Sequence, residues 1–260
     1  MDPRSAELTK YAANAMLALR ISFMNEMAAL ADAHGADIEQ VRIGVGTDPR
    51  IGPQFLYPGI GFGGSCFPKD LRALEWMARQ ARLTPRLLPA VREVNEEQKR
   101  LLLREITSYF NGQLGGRTVA VWGLAFKPET DDVREAPGCM LVADLLAAGA
   151  HVRAYDPMAM PNARALLAAR LGPADLDRLT LAPYADAALA GADVLALATE
   201  WKEFSSPDFA AMARQLRAGA VFDGRNQYRP ETVRGHGLGY WGVGRGSAAG
   251  RRANSMNART

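Results

Sequence analysis

The sequence predicts an α/β protein in which an all-helical domain precedes a Rossmann-like domain built on a parallel sheet. Apolar residues recur at helical spacing over residues 6–34. After Gly116 the pattern changes, and short apolar runs rich in β-branched residues alternate with helical segments of about ten residues, as in βαβ units. We therefore expect four parts: a helical domain over 1–89, a connecting helix over 90–113, a Rossmann-like domain over 114–245 and a disordered tail over 246–260.

The helical part is expected to contain four helices. The first has a candidate N-cap at Asp2 or Ser5 and ends at Gly35. The others are predicted over 37–43, 68–82 and 90–110. A loop over 44–61, rich in glycine and proline, precedes the third helix. Loops of this length in a compact domain tend to carry function.

The second half is expected to alternate strands and helices. The predicted strands are 118–124, 151–155, 178–181, 192–199 and 220–223, the last being the final strand. The predicted helices are 138–148, 162–171, 184–190 and 207–217. In such sheets ligands bind at the carboxyl ends of the strands.

Composition excludes several classes of protein. The 260 residues carry a net charge of +3 with a pI near 9.0, and the basic residues are dispersed, which gives no argument for nucleic-acid binding. Two cysteines form no disulfide framework and favour the reducing cytoplasm. The three histidines are scattered, so no metal site is expected. Without a long apolar run or a signal-peptide pattern, no membrane association is expected either.

Cys66 is the strongest candidate for a chemical role. Three glycines precede it within 61–64, and Pro68 suits the first turn of a helix. A helix N-terminus and the neighbouring Lys69 both favour the nucleophilic thiolate. Asp70 lies four residues further on, on the same helical face, as a potential acid–base partner. These flanks favour a catalytic nucleophile over the buried structural cysteine that a lone cysteine usually is.

Polar side chains elsewhere are individually ambiguous. Lys10 and Asn14 share a face of the first helix, where spacing alone favours a solvated stripe. Three loops, 126–134, 199–202 and 223–226, are expected at the carboxyl edge of the sheet, and each carries a cation suited to phosphate. Any one of these could be solvated loop charge, but three loops converging on one edge predict an anionic ligand.

The expected nucleotide is not a dinucleotide. The first strand runs into Trp122-Gly123-Leu124-Ala125-Phe126-Lys127, which has one glycine where the dinucleotide fingerprint requires three. No other segment matches that fingerprint after a strand.

Several segments together resemble the UDP-glucose 6-dehydrogenases of the UDP-glucose/GDP-mannose dehydrogenase family. The resemblance covers roughly residues 5–245 and is most specific at Gly-Phe-Gly-Gly-Ser-Cys-Phe-Pro-Lys-Asp, residues 61–70. It extends to the 6–26 helix containing Lys10 and Asn14, to Asp48-Pro49-Arg50-Ile51-Gly52, to Gly123-Leu124-Ala125-Phe126-Lys127 with Asp131, Asp132 and Arg134, and to Asp223-Gly224-Arg225-Asn226. The resemblance implies that members of this family begin with an NAD-binding domain, and we expect no counterpart of that domain in this sequence.

The resemblance implies a mechanism. Cys66 would trap the aldehyde formed from the C6 hydroxyl of UDP-glucose as a thiohemiacetal, which becomes a thioester and is hydrolysed to UDP-glucuronate. Lys10 would stabilise the oxyanion with Asn14 assisting, and Asp70 would help to activate or position water. The cofactor would be NAD. The further implied contacts are Arg50, Phe55, Tyr57, Gly63, Phe126, Lys127 and Arg225 for substrate, and Lys69 and Arg134 for cofactor.

The resemblance also implies a homodimer formed through the central helices, with Arg50 reaching the partner's site. Because an NAD-binding domain is not expected, two alternatives stay open. The chain could be a non-catalytic fragment for nucleotide-sugar binding or dimerisation. It could also belong to a dehydrogenase for GDP-mannose or UDP-N-acetylmannosamine.

Overall fold

A computed structural model of the chain describes residues 1–246. In that part, the helices are α1 (Pro3–His34), α2 (Ile38–Gly46), α3 (Phe67–Gln80), α4 (Leu87–Gln98), α5 (Leu101–Tyr109), α6 (Pro137–Ala147), α7 (Met160–Arg170), α8 (Pro173–Leu176), α9 (Ala185–Leu189), α10 (Phe209–Gln215) and α11 (Pro230–Gly235). The strands are β1 (Thr118–Trp122), β2 (His151–Tyr155), β3 (Leu179–Leu181), β4 (Val194–Leu197), β5 (Ala220–Asp223) and β6 (Gly239–Gly242). The predicted α/β class, with helices first and a parallel sheet second, is confirmed.

The long helix α1 organises the helical part. The Asp2 carboxylate accepts the Ser5 N–H at 3.0 Å as the N-cap, and Gly35 ends the helix with φ 70°, a conformation that glycine adopts without strain. Small residues on one face of α1, Ala15 and Ala18 among them, pack with Leu71 of α3 and Val91 of α4. Small side chains let the helices approach closely, so α1 holds α3 at a fixed position.

The predicted continuous helix over 90–110 is wrong in one respect, because it breaks into α4 and α5 at Lys99–Arg100. The Lys99 side chain is 1% exposed, and its ammonium pairs with Glu96 at 2.7 Å and with Glu135 of the following domain at 3.5 Å. A buried ammonium requires such partners. The pattern of charged residues does not reveal that this lysine points into the junction of the two domains.

The sheet has the order β3-β2-β1-β4-β5-β6, with all neighbouring strands parallel. Strand order therefore reverses between β1 and β4, which is the switch point where such sheets bind ligands. The prediction of 220–223 as the final strand is wrong, since α11 and β6 follow it. The β6 segment, Gly239-Tyr240-Trp241-Gly242, has no β-branched residues and therefore a low intrinsic strand propensity. It forms a strand because it pairs with β5.

Main-chain hydrogen bonds join the two halves. The Gly64 N–H donates to the Arg134 carbonyl at 2.8 Å, and the Ile60 N–H donates to the Gly224 carbonyl at 3.1 Å. The loop that precedes Cys66 is thus attached to the carboxyl edge of the sheet.

The end of the described chain returns to the helical part, where the Gly246 N–H donates to Asp32 at 2.8 Å. Apart from Gly246, the predicted tail over 246–260 lies outside the described residues. Among the described helices, none is both long enough and apolar enough to cross a membrane.

Candidate active site

A cavity of about 440 Å³ lies between the helical part and the carboxyl edge of the sheet. The predicted residues that line it are Phe55, Tyr57, Gly63, Cys66, Phe126, Lys127 and Arg225. They come from the 44–61 loop, the start of α3 and the loops after β1 and β5. The structure therefore brings together segments that are more than a hundred residues apart in the sequence.

Cys66 is exposed at the N-cap position of α3, with Pro68 in the first turn. The second cysteine, Cys139, is buried, and burial raises the pKa of its thiol to about 12. A thiolate is the reactive form of cysteine, so Cys66 is the accessible thiol and Cys139 is inert at neutral pH.

The Asp70 carboxylate contacts two polar side chains of α1. Lys10 Nζ and Asn14 Nδ2 both contact Asp70 Oδ2, the latter at 2.6 Å, and Lys69 Nζ lies 3.4 Å from Oδ1. Burial of the carboxyl raises the pKa of Asp70, but the hydrogen bonds from Lys10 and Asn14 outweigh it and hold the pKa below its ordinary value. Spacing alone favours a solvated position for Lys10 and Asn14 on α1. In the structure both side chains instead contact the start of α3.

Two cations, Lys10 and Arg134, interact electrostatically with the thiol. The hydrogen bond with Asp70 chiefly raises the pKa of Lys10, and attraction to a charged Cys66 adds to it. The ion pair with Asp132 chiefly raises the pKa of Arg134, with the same smaller contribution from Cys66. Both side chains therefore stay protonated at neutral pH.

The Arg225 guanidinium sits at the base of the cavity. Its Nε donates to the Ala198 carbonyl at 2.8 Å and lies 3.2 Å from Glu200 Oε2, while Nη1 donates to the Gly61 carbonyl at 3.2 Å. Arg225 therefore bonds the loop after β4 to the glycine loop before α3. A guanidinium has five donor hydrogens, so these contacts leave capacity for an anion.

Close packing against the second domain requires glycine at positions 63 and 64. A Cβ on Gly63 would lie 2.3 Å from the Glu135 carbonyl oxygen, and one on Gly64, at φ 82°, would lie 2.8 Å from the Phe126 ring. The glycine loop thus touches the second domain directly. Contact with a sugar, which the resemblance implies, is not the only reason for glycine here.

Aromatic residues form one wall of the cavity. The Phe55 ring lies 6.3 Å from that of Phe67, which in turn meets Phe62 edge-to-face at 5.6 Å. Phe55 adopts φ 60°, an unfavourable backbone conformation for a bulky residue. Such strain is commonly found at binding sites. Tyr57 lies under the Arg42 guanidinium, 4.8 Å from the ring centre.

Six predicted residues do not line this cavity: Lys10, Asn14 and Asp70, which contact one another, and Arg50, Lys69 and Arg134. The Arg50 side chain is 87% exposed and forms an ion pair with Asp48 at 2.6 Å. Lys69 contacts Asp70, and Arg134 is paired with Asp132 at 2.7 Å. The predicted roles of Arg50, Lys69 and Arg134 toward a partner subunit or a cofactor stay predictions, as do the catalytic roles of Lys10, Asn14 and Asp70.

Sequence reasoning missed six residues that line the cavity: Ile21, Gly59, Phe62, Ser65, Phe67 and Glu200. A further lining residue, Gly61, lies in the glycine stretch singled out before Cys66. In the 199–202 loop, the sequence favours Lys202 as the ligand-binding residue. The residue of this loop that lines the cavity is Glu200. The sequence signal that could have identified Glu200 is its position just after a predicted strand, at the edge where ligands bind. Its pairing with Arg225 could not be read from sequence spacing.

The sheet does not fit a dinucleotide. A Cβ on Gly123 would lie 2.4 Å from the Thr199 Cβ, and one on Gly138 would lie 2.3 Å from the Gly123 carbonyl oxygen, so this first turn is filled by protein. Asp156 follows β2, where dinucleotide folds use an acid for the ribose hydroxyls. Here its carboxylate is buried and accepts five N–H groups of the protein.

A Rossmann-like sheet whose carboxyl edge faces an exposed thiol and several cations defines a nucleotide-binding protein with a candidate cysteine nucleophile. The chain belongs to the UDP-glucose/GDP-mannose dehydrogenase family: residues 4–97 match its central domain and residues 120–230 its UDP-binding domain. The resemblance seen in the sequence is thereby confirmed.

Individual relatives agree with this assignment. The chain is 50% identical over 245 residues to UDP-glucose 6-dehydrogenase of Pseudomonas aeruginosa, covering 94% of this chain and 53% of that protein. A solved UDP-glucose dehydrogenase from Pyrobaculum islandicum matches with a TM-score of 0.80 at 40% identity, covering 94% of this chain and 52% of that one. A UDP-D-ManNAc dehydrogenase from Pyrococcus horikoshii matches with a TM-score of 0.77 at 27% identity, covering 93% and 52%. The chain thus spans about half the length of these relatives.

Proposed function

We propose that this chain supplies the UDP-sugar site and the thiol nucleophile for the NAD-dependent, two-step oxidation of UDP-glucose to UDP-glucuronate. The observation that carries the proposal is the single cavity lined by Cys66, Lys127 and Arg225. It combines a nucleophile from one domain with phosphate-binding cations from the other, in a chain whose second domain matches a UDP-binding domain.

The thiol carries the covalent steps. The first oxidation converts the C6 alcohol to an aldehyde, to which Cys66 Sγ adds, forming a C–S bond and a thiohemiacetal. A second two-electron oxidation gives the thioester, and water then breaks the C–S bond to release the acid and regenerate the thiol. Two NAD⁺ would be needed for each UDP-glucose, one to accept the hydride of each oxidation.

Lys10, Asn14 and Asp70 act on the charges that develop in these steps. The Lys10 ammonium, kept protonated by Asp70, stabilises the oxyanion of the thiohemiacetal, and Asn14 provides a second donor. Since the pKa of Asp70 lies below its ordinary value, this carboxylate is a weak base. Its role is to hold Lys10, Asn14 and the attacking water in place.

Two kinds of side chain are proposed to bind the substrate, namely cations for the diphosphate and aromatic rings for the uracil and the sugar. Lys127 and Arg225 bind the diphosphate, where a guanidinium offers paired donors to phosphate oxygens. Phe55, Tyr57 and Phe126 provide apolar surface for the uracil and the sugar, against the backbone at Gly63.

The NAD site itself is proposed to lie outside the described residues, because the sheet does not fit a dinucleotide. From this chain, Lys69 and Arg134 would face the cofactor's pyrophosphate at the mouth of the cavity. Turnover therefore requires an NAD-binding domain in addition to these residues.

A homodimer is proposed through α1. Leu8, Met16, Phe23 and Leu30 are exposed on this helix and recur at intervals of seven or eight residues, as in a coiled-coil seam. Pairing of two such faces would bury this apolar surface and would bring Arg50 toward the partner's cavity. A cytoplasmic location is consistent with the free cysteines.

Two alternatives have specific support. The misfit of the sheet to a dinucleotide favours a chain that only binds nucleotide sugars or dimerises. The similarity to the UDP-D-ManNAc dehydrogenase of Pyrococcus horikoshii favours a related sugar, UDP-N-acetylmannosamine. GDP-mannose, the other substrate in the family's name, would require the cavity to accept guanine.

Calorimetric titration of the chain with UDP-glucose, UDP-N-acetylmannosamine and GDP-mannose tests the proposal. We expect UDP-glucose to bind most tightly, and no NADH absorbance when NAD⁺ is added to the chain alone. Preferential binding of GDP-mannose would contradict the substrate assignment. Sustained NADH production would contradict the need for a further domain.

A further inference from the structure

A buried carboxylate at the end of β2 joins three loops of the cavity edge. Asp156 Oδ2 accepts the Leu124 N–H at 2.7 Å, the Ala125 N–H at 3.0 Å and the Trp201 indole N–H at 3.1 Å. Asp156 Oδ1 accepts the N–H groups of Met158 and Ala159 at 2.9 and 2.8 Å. One side chain thus contacts the loops after β1, β2 and β4, while itself lying outside the cavity lining.

The contact with the β1 loop has a direct consequence for the site. The Ala125 peptide is held from both sides, because its N–H donates to Asp156 and its carbonyl accepts the Thr199 hydroxyl at 2.7 Å. The next two residues, Phe126 and Lys127, line the cavity. The direction in which these two side chains leave the sheet is therefore determined by a peptide that Asp156 holds.

The contact with the β4 loop acts in the same way. Trp201 donates its indole N–H to Asp156, and its carbonyl accepts the Gln227 side-chain amide at 3.1 Å. Glu200, which pairs with Arg225 in the cavity, immediately precedes Trp201. Asp156 is thus linked to both cationic parts of the edge, Lys127 through one loop and Arg225 through the other.

We infer that Asp156 is a positioning residue for the UDP subsite: it sets Lys127 and Phe126 for the nucleotide through the amides of Leu124 and Ala125. The inference rests on the proposed function for its choice of ligand. It also explains why an acid occupies the ribose-binding position of a sheet that does not fit a dinucleotide. The carboxylate accepts five protein N–H groups and so organises the loops instead of contacting a ligand.

Substitution tests this with a graded series. Asp156→Asn replaces one acceptor oxygen with a donor and retains part of the network, whereas Asp156→Ala removes all five bonds. Asp193→Asn is the matched control: this buried aspartate also accepts a strand N–H, that of Thr118 at 2.8 Å, but at the amino edge of the sheet. We expect UDP affinity to fall about tenfold in Asp156→Asn, further in Asp156→Ala, and less than about threefold in Asp193→Asn, measured by calorimetry with UDP.

A double-mutant cycle separates positioning from general destabilisation. If Asp156 acts through Lys127, Asp156→Asn costs much less UDP affinity in a Lys127→Ala background than in the parent chain. An equal loss in both backgrounds, or an equal loss in Asp193→Asn, would overturn the inference. So would unchanged affinity in Asp156→Asn.

Hydrogen exchange without ligand makes the test independent of the proposed function. We expect Asp156→Asn to accelerate exchange of the Leu124 and Ala125 amides selectively, leaving the β5 amides protected. Unchanged exchange at Leu124 and Ala125 would overturn the inference even if UDP does not bind. Failure of the parent chain to bind UDP would instead contradict the proposed function.

Discussion

Glu200 Oε2 lies 3.2 Å from Nε of Arg225, so the candidate phosphate-binding guanidinium is already paired with a carboxylate that lines the same cavity. If the proposed function holds, the incoming diphosphate would have to share Arg225 with Glu200 or displace Glu200 from it. Because Glu200 is about half exposed, its charge is screened and the competition is modest.

Removing that carboxylate is expected to strengthen UDP binding. Glu200→Gln should raise the affinity roughly threefold at low salt, with a smaller gain at high salt, since screening weakens the carboxylate's repulsion of phosphate. Calorimetry at two ionic strengths measures both effects. Glu203→Gln is the control, because Glu203 accepts from Tyr155 at 3.3 Å and does not line the cavity. Weaker binding in Glu200→Gln would show instead that Glu200 contacts the ligand.

The two cysteines should differ sharply in reactivity. Iodoacetamide at pH 8 is expected to alkylate Cys66 and to leave Cys139, whose burial raises its pKa to about 12, unmodified. Mass spectrometry should show one added group in the parent chain and in Cys139→Ser, and none in Cys66→Ser. UDP-glucose should slow the labelling, and Cys66→Ser should still bind UDP-glucose. Labelling of Cys139 at a comparable rate would contradict the burial argument.

The ion pair between Lys10 and Asp70 predicts how stability depends on pH. The folded-state pKa of Asp70 is lowered, so its contribution is present above the unfolded value near 3.9 and is lost as the pH falls through the folded value. The pKa of Lys10 is raised, so its contribution is present below about pH 10.4 and is lost as the pH rises through the folded value.

Asp70→Asn should therefore lower the thermal unfolding midpoint at pH 7, and the difference from the parent chain should shrink below about pH 4. Circular dichroism melts at pH 7 and pH 3 measure this. A difference that persists unchanged at pH 3 would show that packing, and not charge, is responsible.

The glycine loop should tolerate no side chain where it touches the second domain. Gly63→Ala places a Cβ 2.3 Å from the Glu135 carbonyl, which should cost about 1–3 kcal/mol of the free energy of unfolding and weaken UDP binding. Gly115→Ala is the control, because its added Cβ would meet no atom within 4 Å. Denaturant unfolding and UDP titration measure the two effects. Equal stability of the two variants would mean that the loop relaxes freely.

The exposed face of α1 predicts a dimer. Met16→Glu combined with Phe23→Glu should convert a dimer to a monomer in size-exclusion chromatography with light scattering, because each change places a charge in the seam. Trp76→Glu, an exposed aromatic on α3, is the control and should leave the oligomeric state unchanged. A monomeric parent chain would contradict the proposed assembly.

Local sequence signals were sufficient for most elements. The periodicity of α1, its cap at Asp2 and its end at Gly35 are visible in the sequence because they depend on neighbouring residues. The apolar runs of β1, β4 and β5 are visible for the same reason. Local signals did not predict β6, whose glycine-rich segment forms a strand through pairing with β5. They also did not predict the break before α5, where Lys99 pairs with Glu135 of the second domain.

The sequence by itself determined the class of fold and the family, and it identified Cys66, because glycine, proline and charge patterns near the thiol are local. Only the tertiary structure decided which side chains meet. It brought Asn14 to Asp70 and Glu200 to Arg225, and it enclosed Asp156 in a network of five N–H donors. These contacts join segments far apart in the chain, and their energies depend on distance and burial, which no spacing within one segment specifies.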